Sequence, residues 1–343
     1  MEFGIKTDKI TKSLLRTTFK KALNDIRRDP KRSMRNLVDL GLNFAEGCNQ
    51  REIFDITQHY LSNENSSYYR LAENIVKEID DEKLITFGLN FGYNGCTSGA
   101  KLLREKEAQL GCHIPFMLSF TLGEEDSLTV EDITSAIKQG MELGIYIYSV
   151  ICFSDDYPQL LEMAAEFDEC AFLFFINPIR LTREVISRTS ELNNLVTSVH
   201  FDGESDSCIN AVRQLREQGC ITVVHYEYTE QSINEILSNV ITDQIAEMGT
   251  IAGIFYTSPE TDKAAQKIVA DYRTEIVRSQ QYPLFLFEEK SDIARIEQMF
   301  SNAECFLRFT NGGRALYTSK HKVLEGVNLR TDSLTDILKR LKY

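Results

Sequence analysis

Leu84-Ile-Thr-Phe-Gly-Leu-Asn-Phe-Gly-Tyr-Asn-Gly-Cys-Thr-Ser-Gly-Ala-Lys-Leu-Leu-Arg-Glu105 is the stretch on which the reading of this fold turns. Leu84 to Phe91 is short, apolar and bounded by turn residues, the pattern of a strand buried on both faces. Gly92, Asn94, Gly95, Ser98 and Gly99 break it, and Lys101-Leu-Leu-Arg-Glu resumes at helical spacing. The stretch therefore predicts strand, glycine-rich loop and helix: a first βα unit.

Downstream the same unit recurs. β-rich runs begin near Leu84, Ile114, Ile145, Ala171, Leu195, Cys220, Ile251 and Pro283, each followed by an amphipathic stretch. One strand and one helix at that period, eight times over, predicts an α/β fold of the (βα)8 barrel type, because right-handed crossovers of this length place successive strands parallel and adjacent. A doubly wound open sheet is the rival. No Gly-x-Gly-x-x-Gly follows the first run, so dinucleotide binding has little support.

Upstream, Ile10 to about Asp80 has apolar residues at helical spacings throughout, with Pro30 in a turn, Gly47 ending one helix and Asn63-Glu-Asn-Ser-Ser capping the next. Beyond Glu304, two alternating runs flank Asn311-Gly312, the signal of a hairpin. Ser333 then caps a last helix, Leu334 to Leu341. The expected division is a helical N-terminal domain over 1–80, a barrel over 81–303, and a hairpin with a helix over 304–343.

The chain has 343 residues, 43% of them hydrophobic and 26% charged, enough to bury a large core. Its first 36 residues hold 11 Lys/Arg against 4 Asp/Glu, a balance of +7 that leaves −20 for the remainder of a chain whose net charge is −13. Aromatic residues for stacking on bases are sparse there, so a basic arm lying on the chain's own acidic barrel is favoured over nucleic-acid binding. No apolar run is long enough to cross a membrane and no signal-peptide pattern opens the chain, so a cytoplasmic protein without membrane association is expected. Eight cysteines fall at spacings that exclude local chelation and read as buried thiols in a reducing compartment.

In a parallel barrel, chemistry comes from the C-terminal ends of the strands. A two-residue period puts Ser198, His200 and Asp202 on one face of one run, and His225 with Glu227 on one face of the next. His200, Asp202, His225 and Glu227 are thus the catalytic candidates, able to bind a divalent metal or to act as acid and base. Hydrogen-bonded residues lining a plugged mouth would give the same pattern. Glu124, Glu125 and Asp126 could grip an ammonium group, or could prepare the helix that begins near Thr129.

Gly123-Glu124 after the second run, Asp202-Gly203, Gln218-Gly219-Cys-Ile-Thr-Val-Val, and the hairpin followed by Gly326-Val-Asn-Leu and Ser333-Leu-Thr-Asp-Ile-Leu resemble, in their order, the radical S-adenosylmethionine (SAM) proteins with a SPASM-type C-terminal extension. The resemblance spans about Leu84 to Leu341. It implies a TIM-type barrel, a [4Fe–4S] cluster on three cysteines of the first loop, a Gly-Glu motif orienting the methionine amine, and a cysteine after the hairpin. Here the first loop offers Cys96 alone, and Thr318, Ser319 and His321 stand where the extension has its cysteine. One thiolate cannot replace three. The resemblance then implies S-adenosylmethionine as cofactor at Gly92, Gly95, Gly123 and Glu124, no [4Fe–4S] cluster, and a binding or accessory role in peptide or protein modification with a peptide or protein partner. Two alternatives stand beside it: a metal-dependent or acid/base barrel enzyme, and a radical SAM enzyme with non-standard cluster ligation.

Overall fold

The computed structural model describes residues 2–44, 48–123, 127–204, 206–257, 261–301, 305–317 and 322–340. Among them are ten strands: β1 (Met117–Leu122), β2 (Ile147–Cys152), β3 (Ala171–Ile176), β4 (Leu195–Phe201), β5 (Ile221–Tyr228), β6 (Ala252–Thr257), β7 (Phe285–Glu288), β8 (Leu307–Phe309), β9 (Arg314–Tyr317) and β10 (Lys322–Asn328). A helix follows each of β1 to β7 along the chain, so the βα repeat read from the sequence is present. It begins one unit later than expected.

Leu84 to Phe91 is not a strand. Asp81–Gly88 is α-helical, Leu89–Gly99 continues as a π-helix, and Ala100–Leu110 resumes the α-helix. The Asp80 side chain caps the start, accepting from the backbone N–H groups of Glu82 and Lys83. Further along, Asn90 donates to the carbonyls of Asp168 (2.6 Å) and Cys170 (2.9 Å), and Asn94 donates to that of Glu169 (2.8 Å). A strand would send Asn90 and Asn94 along one face about 13 Å apart; helical winding brings them within a hydrogen bond of each other, at 3.2 Å. Phe87 and Phe91 stack at 6.1 Å on the same principle.

The chain divides into two compact units, one of Met1–Ile85 with Phe201–Glu289 and the other of Thr86–His200 with Lys290–Tyr343. These cut across the expected boundaries at residues 80 and 303. In the first unit, β5, β6 and β7 run parallel in that order. Helices α1 (Glu2–Arg28) and α2 (Pro30–Phe44) belong to it, with the helix Ser67–Glu78, whose N-cap Ser66 accepts from Tyr68 N–H and whose Tyr68, Tyr69 and Leu71 are buried. Acids of this same helical region meet the basic arm. Arg16 pairs with Glu82, Arg27 with Asp81, and both Lys31 and Arg35 with Glu64.

In the second unit the strand order is β10-β9-β8-β1-β2-β3-β4. β8 and β1 to β4 are parallel, while β9 and β10 are antiparallel to their neighbours. The hairpin around Asn311-Gly312 is therefore no appendage, since its first strand pairs with β1. Ser333 caps the last helix as read, its Oγ accepting from Asp336 N–H at 3.1 Å. No cysteine is bridged to another among the described residues, and no helix there is long and apolar enough to cross a membrane.

The glycines of the helical stretch differ in what surrounds them. A Cβ on Gly99 would lie 2.3 Å from the Asn94 carbonyl oxygen and 2.6 Å from that of Gly144, whereas one on Gly92 meets nothing within 4 Å. Gly99→Ala should therefore cost about 2 kcal/mol or more in urea unfolding, and Gly92→Ala should be neutral or stabilising by up to about 1 kcal/mol. Equal effects would contradict the packing described.

Candidate functional site

Side-chain alternation in the second unit's sheet separates a helix-facing side from its opposite. On the helix-facing side the rings of Phe309, Phe120, Tyr148 and Phe172 succeed one another at 5.6, 6.5 and 5.9 Å, and Tyr148 donates to the carbonyls of Ile137 (3.2 Å) and Ile145 (2.6 Å). The opposite side carries Ser119 and Thr121 of β1, Ser149 of β2, Ser198 and His200 of β4, and Arg308 of β8, with Ser119 in register with both Ser149 and Arg308. Arg308 Nε donates to Ser119 Oγ at 3.2 Å, and its guanidinium lies 5.7 Å above the Phe306 ring. Ser119, Ser149 and Ser198 are buried. Ser119 and Ser149 adjoin the half-buried Arg308, a set able to hold a small polar or anionic group, while Leu173 and Phe175 of β3 separate Ser198 from them.

Beneath that row the strands are plugged. Ala100, Phe116, Ile147, Ala171 and Phe300 form a cluster to which Phe87, Cys96, Met117, Ile296 and Met299 add their side chains. Met117, Ile147 and Ala171 are the first residues of β1, β2 and β3, so the plug closes the N-terminal ends. Cys96 packs against it as a partly buried residue, and desolvation pushes its thiol up to about 12. The place from which loops deliver chemistry is the other end of the strands, about 17 Å away.

At that C-terminal end, the residues after β1 are tied to the chain's last segment. Gly123 N–H donates to Ser127 Oγ at 2.6 Å, Leu128 N–H donates to the Asn311 carbonyl at 2.6 Å, and Arg330 donates to the Ser127 carbonyl. A Cβ on Gly123 would lie 2.9 Å from Asn311 Nδ2, so glycine there admits the hairpin turn. After β2, Phe153 is 55% exposed and Asp155 pairs with Arg180 of the segment after β3. His200 is half-buried at the end of β4.

The first unit holds the other three catalytic candidates. Asp202 is exposed and accepts from Glu204 N–H at 3.1 Å, closing a turn in which Gly203 has φ +95°. His225 is buried, Glu227 is exposed, and alternation sets both on one face of β5 as the sequence predicts. Tyr226 and Tyr228 take the opposite face, donating to Glu235 (3.3 Å) and Glu288 (3.0 Å). Burial, with Glu288 and Glu289 nearby, pushes the Tyr228 hydroxyl far above its ordinary range. Among the described residues no three His, Cys, Asp or Glu side chains gather closely enough to hold a metal ion.

Of the residues expected at one cofactor mouth, the described glycines Gly95 and Gly123 lie at opposite strand ends. Gly95 packs on Ile147, 2.8 Å from where its Cβ would be, at the N-terminal end of β2, while Gly123 follows the C-terminal end of β1. Gly92 belongs to the same helical stretch as Gly95 and faces open space. Glu124 lies outside the described residues. Ser119, Ser149 and Arg308 went unread in the sequence, although the alternation in Leu118-Ser-Phe-Thr121 and Phe306-Leu-Arg-Phe309 carries their signal.

No family model matches the chain, and no curated protein matches it by sequence. Among solved structures, SuiB of Streptococcus suis bound to the precursor peptide SuiA is similar over 71% of this chain and 69% of its own, with a TM-score of 0.54 and 12% identity. SuiB bound to S-adenosylmethionine gives 0.52 at 12% identity, over 71% and 68%. The fold is radical-SAM-like. At this identity the likeness is one of architecture, and the cysteines must be judged on their own positions.

Among the described residues no three of them gather as a [4Fe–4S] cluster requires. The first strand of the parallel repeat is β1, and the residues after it, Gly123-Glu-Glu-Asp-Ser-Leu-Thr129, contain no cysteine where three thiolates are needed. A thiol with its pKa pushed up to about 12 is almost wholly protonated at pH 8. Cys96 should therefore react with iodoacetamide at least about a hundredfold more slowly than a solvent thiol. Peptide mass spectrometry of timed aliquots checks this, and labelling of Cys96 at the solvent rate would contradict the plug.

Proposed function

We propose that the chain is a radical-SAM-like barrel that has given up the iron–sulfur cluster and acts as a binding or accessory protein in peptide or protein modification. The observation that carries this reading is the missing cysteine set after β1, with Cys96 built into the apolar plug at the opposite strand ends. The peptide link is supported by the likeness to SuiB, whose structure holds a precursor peptide, and S-adenosylmethionine enters as ligand on the same ground.

In this reading Gly123 and Glu124 meet the ligand where β1 ends, and the Glu124 carboxylate pairs with the methionine ammonium. A charge-assisted hydrogen bond in a partly desolvated site contributes about 1.5–3 kcal/mol. Without cluster iron to chelate the amine and carboxylate, affinity stays modest.

Anaerobic reconstitution followed by iron and sulfide analysis, and then calorimetric titration of the same sample with S-adenosylmethionine, tests the proposal. The expected result is well under one iron per chain and binding that Glu124→Gln weakens about ten- to a hundredfold. About four irons per chain would overturn the cluster-free reading. Equal binding by wild type and Glu124→Gln, or none at millimolar ligand, would remove the ligand from it.

A further inference from the structure

The basic arm is only partly used by its own unit. Arg16, Arg27, Lys31 and Arg35 find carboxylates there, while Lys9, Lys20, Lys21, Arg28 and Arg32 are exposed. The helix α1 packs inward through Leu23 and Ile26, both buried, with Phe19 half-buried a turn earlier. The opposite face reads Ile10, Leu14, Thr17, Lys21, Asn24 and Arg28. Steps of four and three keep these six on one stripe, within about 40° of its centre, and every one of them is exposed.

Scattered apolar residues on a surface need no explanation. Ile10 and Leu14 are different, because they sit one turn apart on the same stripe at 62% and 64% exposure and the stripe then turns cationic. Ordering branched aliphatic side chains in water beside exposed cations gives the free chain nothing. A partner could use both halves at once.

We propose that this stripe docks an acidic amphipathic helix, one presenting two apolar side chains a turn apart at one end and carboxylates along the same face at the other. Charge complementarity selects that occupant. A second copy of α1 does not suit. Parallel pairing would set Lys21 on Lys21 and Arg28 on Arg28, and antiparallel pairing would set the apolar half of each helix on the cationic half of the other. A bilayer suits no better, since an interfacial helix keeps its apolar stripe along its length with cations at the flanks, and here the cations occupy the stripe itself.

The stripe is about 27 Å long, which a partner helix of about 18 residues matches. The test uses the full chain and a fluorescein-labelled synthetic helix of that length, with Leu at two stripe positions and Glu at the other stripe positions, beside a control carrying Lys for Glu. Fluorescence anisotropy should show saturable binding of the Glu probe that weakens at least about tenfold on raising salt from about 50 to about 500 mM, and no binding of the Lys control. Ile10→Glu with Leu14→Glu, and separately Lys21→Gln with Arg28→Gln, should each weaken binding at least about tenfold while leaving thermal unfolding unchanged, as expected for exposed positions. Equal binding of the two probes, or binding indifferent to both double variants, would overturn the proposal. So would finding that these substitutions instead abolish co-sedimentation with phosphatidylglycerol vesicles or a concentration-dependent dimer. The S-adenosylmethionine titration does not involve α1, so either reading can fail alone.

Discussion

Three consecutive main-chain carbonyls, those of Asp168, Glu169 and Cys170, are satisfied by two side chains, Asn90 and Asn94, and much of the second unit depends on that arrangement. The Cys170 carbonyl is buried and would cost about 1–3 kcal/mol if left unpaired, and with those of the exposed Asp168 and Glu169 it ties the chain just ahead of β3 to the helical stretch. Holding it there sets the height of the plug. Gly95 and Gly99 then come so close to Ile147 and Gly144 that no side chain fits, and Cys96 is carried into the apolar cluster under β1 to β3. A stretch that reads as a strand and an open glycine-rich loop thus becomes the base on which the strands stand.

The strand repeat was legible because each run from Ile114 to Pro283 joins a short β-branched or aromatic segment to an amphipathic one, and such pairs rarely serve another purpose. The hairpin was legible from Asn311-Gly312. Leu84 to Phe91 misled because a short apolar run has no period that separates a buried strand from a buried helix. What decides it is Asn90 and Asn94, whose partners lie some 75 to 80 residues away and leave no local trace. Pairing of β8 with β1 is hidden for the same reason, since it joins Leu118 to Leu307.

The site divides similarly. Alternation set His225 and Glu227 on one face of β5, and the strand bears that out, but burial of one beside exposure of the other depends on what covers the sheet. Of the glycines expected at a ligand, Gly95 and Gly123 make room for protein, while Gly92 meets open space. Ser119, Ser149 and Arg308 were passed over because they lie in mid-strand, away from the loops that draw attention in a barrel. Their polarity above an apolar base is a physical sign that something other than packing shaped this face.

Residues 86–110 form a closed helical base and not a strand with an open glycine-rich loop. Amide hydrogen exchange followed by mass spectrometry addresses it directly. Peptides covering Leu89 to Gly99 should be protected to nearly the same extent as those covering β2 and β3, because their amides exchange only through opening of the plug. Complete exchange of Gly92 to Gly99 within seconds, while β2 and β3 remain protected, would contradict it.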